Sequence, residues 1–159
     1  MPFYYNDVLA AAGNLTTNGT ANTETETLFL KPSTTRSPYV NLITLNGKNA
    51  SLTALSSIEL RPIKWGTAST GGTSLASVPK DPGAQAATIT SGSRPTSGTT
   101  RTQAGPIIGC GVSGANQWIA RDWDDSIMLP ASNAGSISCM DTGSIASLLF
   151  SFSLGHAEF

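Results

Sequence analysis

Residues 65–73 read WGTASTGGT. From Gly66 this string matches the phosphate-binding loop G-x-x-x-x-G-K-[ST] at every fixed position but one. Gly72 stands where the loop's lysine would meet the β- and γ-phosphates. Such a loop must also open a helix whose N-terminus faces the phosphates. The residues that follow, TSLASVPKDPGAQ, hold Pro79 and Pro82, which block a long helix. No βαβ pattern follows to supply a Mg²⁺-binding aspartate. The stretch therefore reads as a hydroxyl-rich connection leaving a strand, and ATP and GTP are expected not to bind it.

Other reactive groups are sparse. Arg121-Asp122-Trp123-Asp124-Asp125 is the densest acid cluster. Its oxygens have a spacing that could hold Ca²⁺, but the EF-hand glycine and the glutamate at loop position 12 are missing. An aspartate-capped turn with Arg121 in an ion pair accounts for it more simply. Trp118, Arg121 and Trp123 are also residue types that anchor interfaces. The single histidine, His156, lies three residues from the end, and no G-x-S-x-G elbow surrounds any serine. Cys110 and Cys139 are too few for a disulfide framework and lack metal-ligand spacing, so two buried free thiols are expected. Nothing places two carboxylates across a cleft. Arg94 and Arg101 flank a polar stretch but stand in a chain of net charge -1. These readings predict a protein that is not an enzyme, with no catalytic, cofactor-binding or metal-binding residues.

The elements that must position any site are strands. Residues 145–154, IASLLFSFSL, alternate with Ala146, Leu148, Phe150, Phe152 and Leu154 on one face and Ser147, Ser151 and Ser153 on the other, Leu149 excepted. Residues 28–30, 39–45 and 58–65 read as strands, the second ending at the turn Asn46-Gly47. Pro62 lacks a ladder donor, which predicts an edge or a bulge in the third. Further candidates are residues 86–90, 106–112, 126–129 and 136–140. Only residues 7–12, DVLAAA, could form a helix, stopped by Gly13. Residues 91–105 read as a long exposed loop.

About eight short strands without helical crossovers predict an all-β fold: a single antiparallel β-sandwich, jelly-roll-like, over residues 28–159. Residues 14–27, NLTTNGTANTETET, are polar, and residues 1–27 are expected to form an extended N-terminal arm.

Composition narrows the function class. Charged residues make up 12% of the chain, about half the usual share. Twenty serines, twenty threonines and 16 glycines make the surface polar instead. Such a surface loses little side-chain entropy on packing against a partner, which favours a subunit of an assembly. Net charge near zero argues against a broad electrostatic hold on nucleic acid or anionic lipid. Residues 1–12 lack the basic region and apolar run of a secretory leader, and no stretch approaches the roughly 20 apolar residues of a membrane span. The sequons at Asn14, Asn18 and Asn49 read as chance in a Ser/Thr-rich chain.

From Leu60 onward the order of features resembles small β-sandwich structural proteins of tailed bacteriophages. The order runs LRPIKW, TASTGGT, VPKDPGAQAAT, RPTSGTT, DDSIMLP and an apolar last strand. The matches are residues 68–73, Val78-Pro79 with Asp81, Ala86-Ala87, and Pro95 with Gly98-Thr99. Residues 104–123 and the N-terminal third have no counterpart. The resemblance implies a virion protein made in the host cytoplasm and carried on the phage head. There it would act as a decoration or cement protein that binds the major capsid protein and self-associates, often as a homotrimer. Phe3, Tyr4 and Tyr5 would then be apolar anchors of the arm. The alternative is a tail- or fibre-associated receptor module in which Trp65, Trp118 or Trp123 stacks on sugar rings.

Overall fold

A computed structural model describes residues 2–7, 15–20, 23–49, 57–143 and 147–159. The helix expected over residues 7–12 falls outside these residues except for Asp7, which ends a strand. Every assigned element is a strand: β1 (Phe3–Asp7), β2 (Leu15–Thr16), β3 (Thr25–Lys31), β4 (Pro38–Gly47), β5 (Ser57–Trp65), β6 (Thr73–Ser74), β7 (Val78–Pro79), β8 (Thr90–Ser93), β9 (Arg101–Gln103), β10 (Ile108–Gly111), β11 (Ala115–Ile119), β12 (Ile127–Met128), β13 (Ser136–Asp141) and β14 (Leu149–Glu158).

Two antiparallel sheets form a sandwich. Sheet A runs β11-β4-β14-β1-β7, with β12 alongside β4 and β2 alongside β14. Sheet B runs β10-β5-β13-β3-β8-β6, with β9 alongside β5. Alternation drives this packing. Leu28 and Leu30, Ile43 and Leu45, Ile58 and Leu60, and Phe150, Phe152 and Leu154 each take every second position, and each is essentially inaccessible to solvent. They meet in one core, where each such side chain contributes roughly 1.5–3 kcal/mol of burial.

Fourteen described strands replace the expected eight. The additions are β1, β2, β6, β7, β9 and β11, of which β2, β6 and β7 are two-residue pairings too brief to show an alternation, while the strand expected at 86–90 survives only in Thr90, the first residue of β8. The expected loop at 91–105 likewise contains the end of β8 and all of β9. Pro62 is not on an edge strand, because β5 has β13 on one side and β10 and β9 on the other. It sits where that second neighbour changes from β10 to β9, and its carbonyl accepts from the Ala104 amide at 2.9 Å. The missing donor therefore falls at a break in the ladder.

The N-terminal segment also differs from expectation. β1 lies inside sheet A, paired with β14 from Phe3↔Ala157 to Asp7↔Ser153 and with β7 on its other side. β2 continues along the same side of β14. The described part of residues 1–27 is thus built into the sandwich, and β3 crosses the expected boundary at 27. The reason is geometric. β14 is a ten-residue strand whose second side would otherwise leave backbone donors and acceptors unpaired.

Candidate interaction surface

β1 reads F-Y-Y-N-D, and its alternation sends Tyr4 and Asn6 inward, where both are buried. Phe3 and Tyr5 therefore lie on the outer face of sheet A, ring against ring at 5.2 Å in an edge-to-face pair. The register places Phe3, Ala157 and Tyr39 in one row across three strands, and Tyr5, Gly155 and Leu42 in the next. A Cβ on Gly155 would lie 2.8 Å from the Phe3 ring and 3.0 Å from Leu42 Cβ. The missing side chain is what lets the Phe3 ring lie across β14.

At the far end of the row Tyr39 packs on Phe159 at 4.3 Å, and Trp123 stands edge-on to both, at 6.3 Å from Tyr39 and 5.1 Å from Phe159. Phe159 is fixed by two backbone bonds with Ser37. Trp123 comes from a turn braced by Arg121 Nε to Asp125 Oδ2 at 2.8 Å and by the Asp125 amide to Asp122 Oδ1 at 3.1 Å. The Arg121 bond holds the Asp125 carboxyl below its ordinary range. Trp123 is 52% exposed and Phe159 38% exposed. Five aromatic side chains thus form a strip across the outer face of sheet A. Exposed apolar groups gathered on one face of an otherwise polar surface mark contact sites.

A cavity of about 580 Å³ opens at the β1 end, bounded by Phe3, Arg36, Lys80, Asp81 and Gln85. Its frame is tied down: the Lys80 amide donates to the Phe3 carbonyl at 2.7 Å, and the Tyr4 hydroxyl donates to the Gln85 carbonyl at 2.7 Å. Asp81 Oδ1 is engaged by the Gly83 amide. No carboxylate among the described residues pairs with Arg36 or Lys80.

Beneath the strip lies a buried polar group. Tyr4 stacks on His156 at 5.5 Å. Asn6 Nδ2 donates to the Ser77 and Ser91 hydroxyls. Glu158, 2% exposed, accepts from the Thr88 amide at 3.0 Å, the Thr88 hydroxyl at 2.8 Å and the Ile89 amide at 3.2 Å. Burial opposes ionisation there, yet these donors outweigh it and hold the carboxyl below its ordinary range. His156 Nε2 is 3.9 Å from Glu158, too far for a hydrogen bond, so the Thr88 and Ile89 donors carry the effect.

The candidate contact residues divide accordingly. Phe3, Tyr5 and Trp123 belong to the strip. Arg121 is exposed and braces the Trp123 turn. Tyr4 is 1% exposed and packs between the sheets, so it is not a surface anchor. Trp118 is opposite the inward-facing Ile43 and packs on the core. Trp65 is buried on the outer face of sheet B, its Nε1 donating to the Ser138 hydroxyl at 2.6 Å. Tyr39 and Phe159 were not among the candidates. Tyr39 opens the 39–45 strand, whose sequence does not show which face it takes, and Phe159 continues the outward phase of β14 past its end.

The near P-loop has a structural job. A bulge between Cys139 and Met140 leaves Thr27 unpaired and puts Glu26 beside Met140 on the outer face of sheet B. Residues 66–72 fold over that face. The Ser69 hydroxyl donates to Glu26 Oε1 at 2.6 Å, and the Ser69 amide donates to the Ser136 hydroxyl at 3.0 Å. Under the loop Ile63, Trp65 and Met140 form a second apolar cluster. Gly72 has φ 76°, and a Cβ there would lie 2.2 Å from the Ser93 carbonyl oxygen. The position that a P-loop gives to lysine accepts no side chain here.

Arg101 and Arg61 both pair with Glu24, and Arg94 donates to the Thr16 carbonyl, so these arginines tie loops to the sandwich. Both cysteines are free and buried. Among the described residues no three His, Cys, Asp or Glu side chains are grouped as a metal-ligand set.

No protein-family model matches this chain, and comparison with curated proteins and with solved structures returns no match.

Proposed function

We propose that this chain is a structural protein of a tailed bacteriophage virion, a head decoration or cement protein that binds the major capsid protein and stabilises the shell as an oligomer. It is not a catalyst on this reading. The aromatic strip on sheet A carries the proposal, because a chain so poor in charge has placed five rings on one outer face. The order of motifs from Leu60 onward and the hydroxyl-rich composition support it. Attachment comes from the folded sandwich rather than from a free arm. Many weak contacts become strong on a shell, since each link raises the effective concentration for the next.

Shells purified without this protein should retain the wild-type chain on sedimentation. Trp123→Ala combined with Phe159→Ala should lose most of that binding while staying folded. Labelled protein should lie over the head in electron micrographs of the virion. Label confined to the tail, or full binding by the double variant, would overturn the proposal.

One observation favours a receptor-binding module instead. Exposed Trp123 borders a cavity of about 220 Å³ that also holds Asn41, Arg121 and Asp122, an aromatic wall beside polar groups. Saturable binding in a glycan screen, lost in Trp123→Ala, would replace the shell-docking proposal with this one.

A further inference from the structure

The two ends of the aromatic strip differ in charge. At the β1 end, Arg36 and Lys80 face a cavity in which Asp81 is the only acid among the described residues, and Asp81 is already capping its own turn. At the other end the Trp123 turn carries Asp122, Asp124 and Asp125 against the single cation Arg121. Arg121 is taken by Asp125, and the Asp125 amide occupies Asp122 Oδ1. Asp124 is exposed with no ion pair among the described residues. One end is therefore net positive and concave, and the other is net negative and borne on an exposed turn. Two interstrand spacings, roughly 10 Å, separate β1 from β4 beneath the strip.

We infer that the occupant of this face is a second copy of the same chain. Two strips meet antiparallel about a two-fold axis, and the Asp122–Asp125 turn of each copy enters the Arg36–Lys80 cavity of the other. The inference rests on the oligomer of the proposed function and names what the strip contacts: copies paired through their strips meet the shell with other surfaces, and losing the strip weakens shell binding by removing that multivalency. An isologous pairing of this kind requires one patch to be complementary to itself, and a strip with opposite charges at its two ends meets that requirement. The same rotation brings the Phe3–Tyr5 pair of one copy towards the Tyr39–Trp123–Phe159 cluster of the other. The rings then supply the apolar contact and the charges set the register. A copy stacked parallel would oppose like charges at both ends.

Sedimentation equilibrium on the full chain tests this. Wild type should be dimeric at low salt, and the dimer should weaken as salt rises. The variant Arg36→Glu with Lys80→Glu, and separately Asp122→Lys with Asp124→Lys, should each associate about tenfold or more weakly, the scale of losing close charge pairs across an interface. Each variant alone now opposes like charges at both contacts, whereas an equimolar mixture of the two restores both. The mixture should recover association close to wild type. Where Arg36→Glu impairs folding, Lys80→Glu mixed with Asp124→Lys repeats the test.

A wild type that stays monomeric at about 100 μM in low salt would overturn the inference, as would variants that associate like wild type or a mixture that stays monomeric. Shell sedimentation separates the two proposals. Loss of shell binding in the Trp123→Ala, Phe159→Ala variant, with a monomeric wild type, would keep the contact surface and remove the self-pairing.

Discussion

Glu158→Gln removes a buried carboxylate that the fold keeps ionised. In the folded chain the Thr88 amide, the Thr88 hydroxyl and the Ile89 amide all donate to it. Glutamine keeps one acceptor oxygen and puts an NH₂ where the second stood, facing the donors. With a bond from His156 counted, the carboxyl would sit at about 2 against an ordinary 4.5, a gap that corresponds to roughly 3.5 kcal/mol at about 1.4 kcal/mol per pH unit. Without a bond from His156 the expected figure is about 2–3 kcal/mol. The sign follows from the depressed value. The carboxylate stabilises the fold above pH 4.5, and that contribution fades as pH falls towards 2.

Glu26 and Asp141 act in the opposite direction, because burial raises both. The informative quantity is therefore the difference between wild type and variant. Urea unfolding at several pH values should show Glu158→Gln less stable by about 2–3 kcal/mol at pH 7, with the gap closing as pH approaches 2. A gap that stays constant across this range would refute the reasoning. It would mean that the substitution acts through packing, and that the carboxylate's charge contributes nothing.

Gly72→Lys completes the P-loop pattern but forces a side chain into φ 76° and into the Ser93 carbonyl. It should cost roughly 2–4 kcal/mol by thermal melting, and ATP should shift the melting temperature of neither protein. Glu26 is raised by burial, with the bond from Ser69 only partly offsetting it, so its ionisation opposes folding as pH rises past 4.5. Glu26→Gln should raise the melting temperature at pH 7 and leave it nearly unchanged at pH 3. Burial, with the Glu26 charge adding to it, pushes the Cys139 thiol up to about 12. Cys139 should therefore resist a thiol-specific disulfide reagent at pH 8 in the native chain and react promptly in urea.

Much of the sandwich was legible because alternation is a local property. The apolar phase of 148–154 and the short runs at 28–30, 39–45 and 58–65 each read as strands, and the structure places a strand at each. Turn residues also made the absence of helical crossovers clear. The strip was only half legible. Phe3, Tyr5 and Trp123 stood out as aromatics in polar surroundings, but Tyr4 looks the same in sequence and points inward. Trp118 had the right residue type and the wrong face, since its partner across the sheet is Ile43.

The sequence by itself determined that the chain forms strands, which side chains share a face within an unbroken run, and that Gly72 cannot stand in for a phosphate-binding lysine. Those conclusions need only the period of a strand and the chemistry of single residues. The tertiary structure decided which strands meet and in what register. β1 and β14 join residues far apart in the chain, and that pairing together with β14–β4 sets Phe3 and Tyr39 in one row with Ala157. One unpaired residue at Thr27 turns Glu26 to the outer face, where WGTASTGGT covers it. A strand's side chains change face with every residue of shift, so a single bulge or register reassigns a whole surface. That information lies in contacts between residues far apart in the chain, and no local pattern carries it.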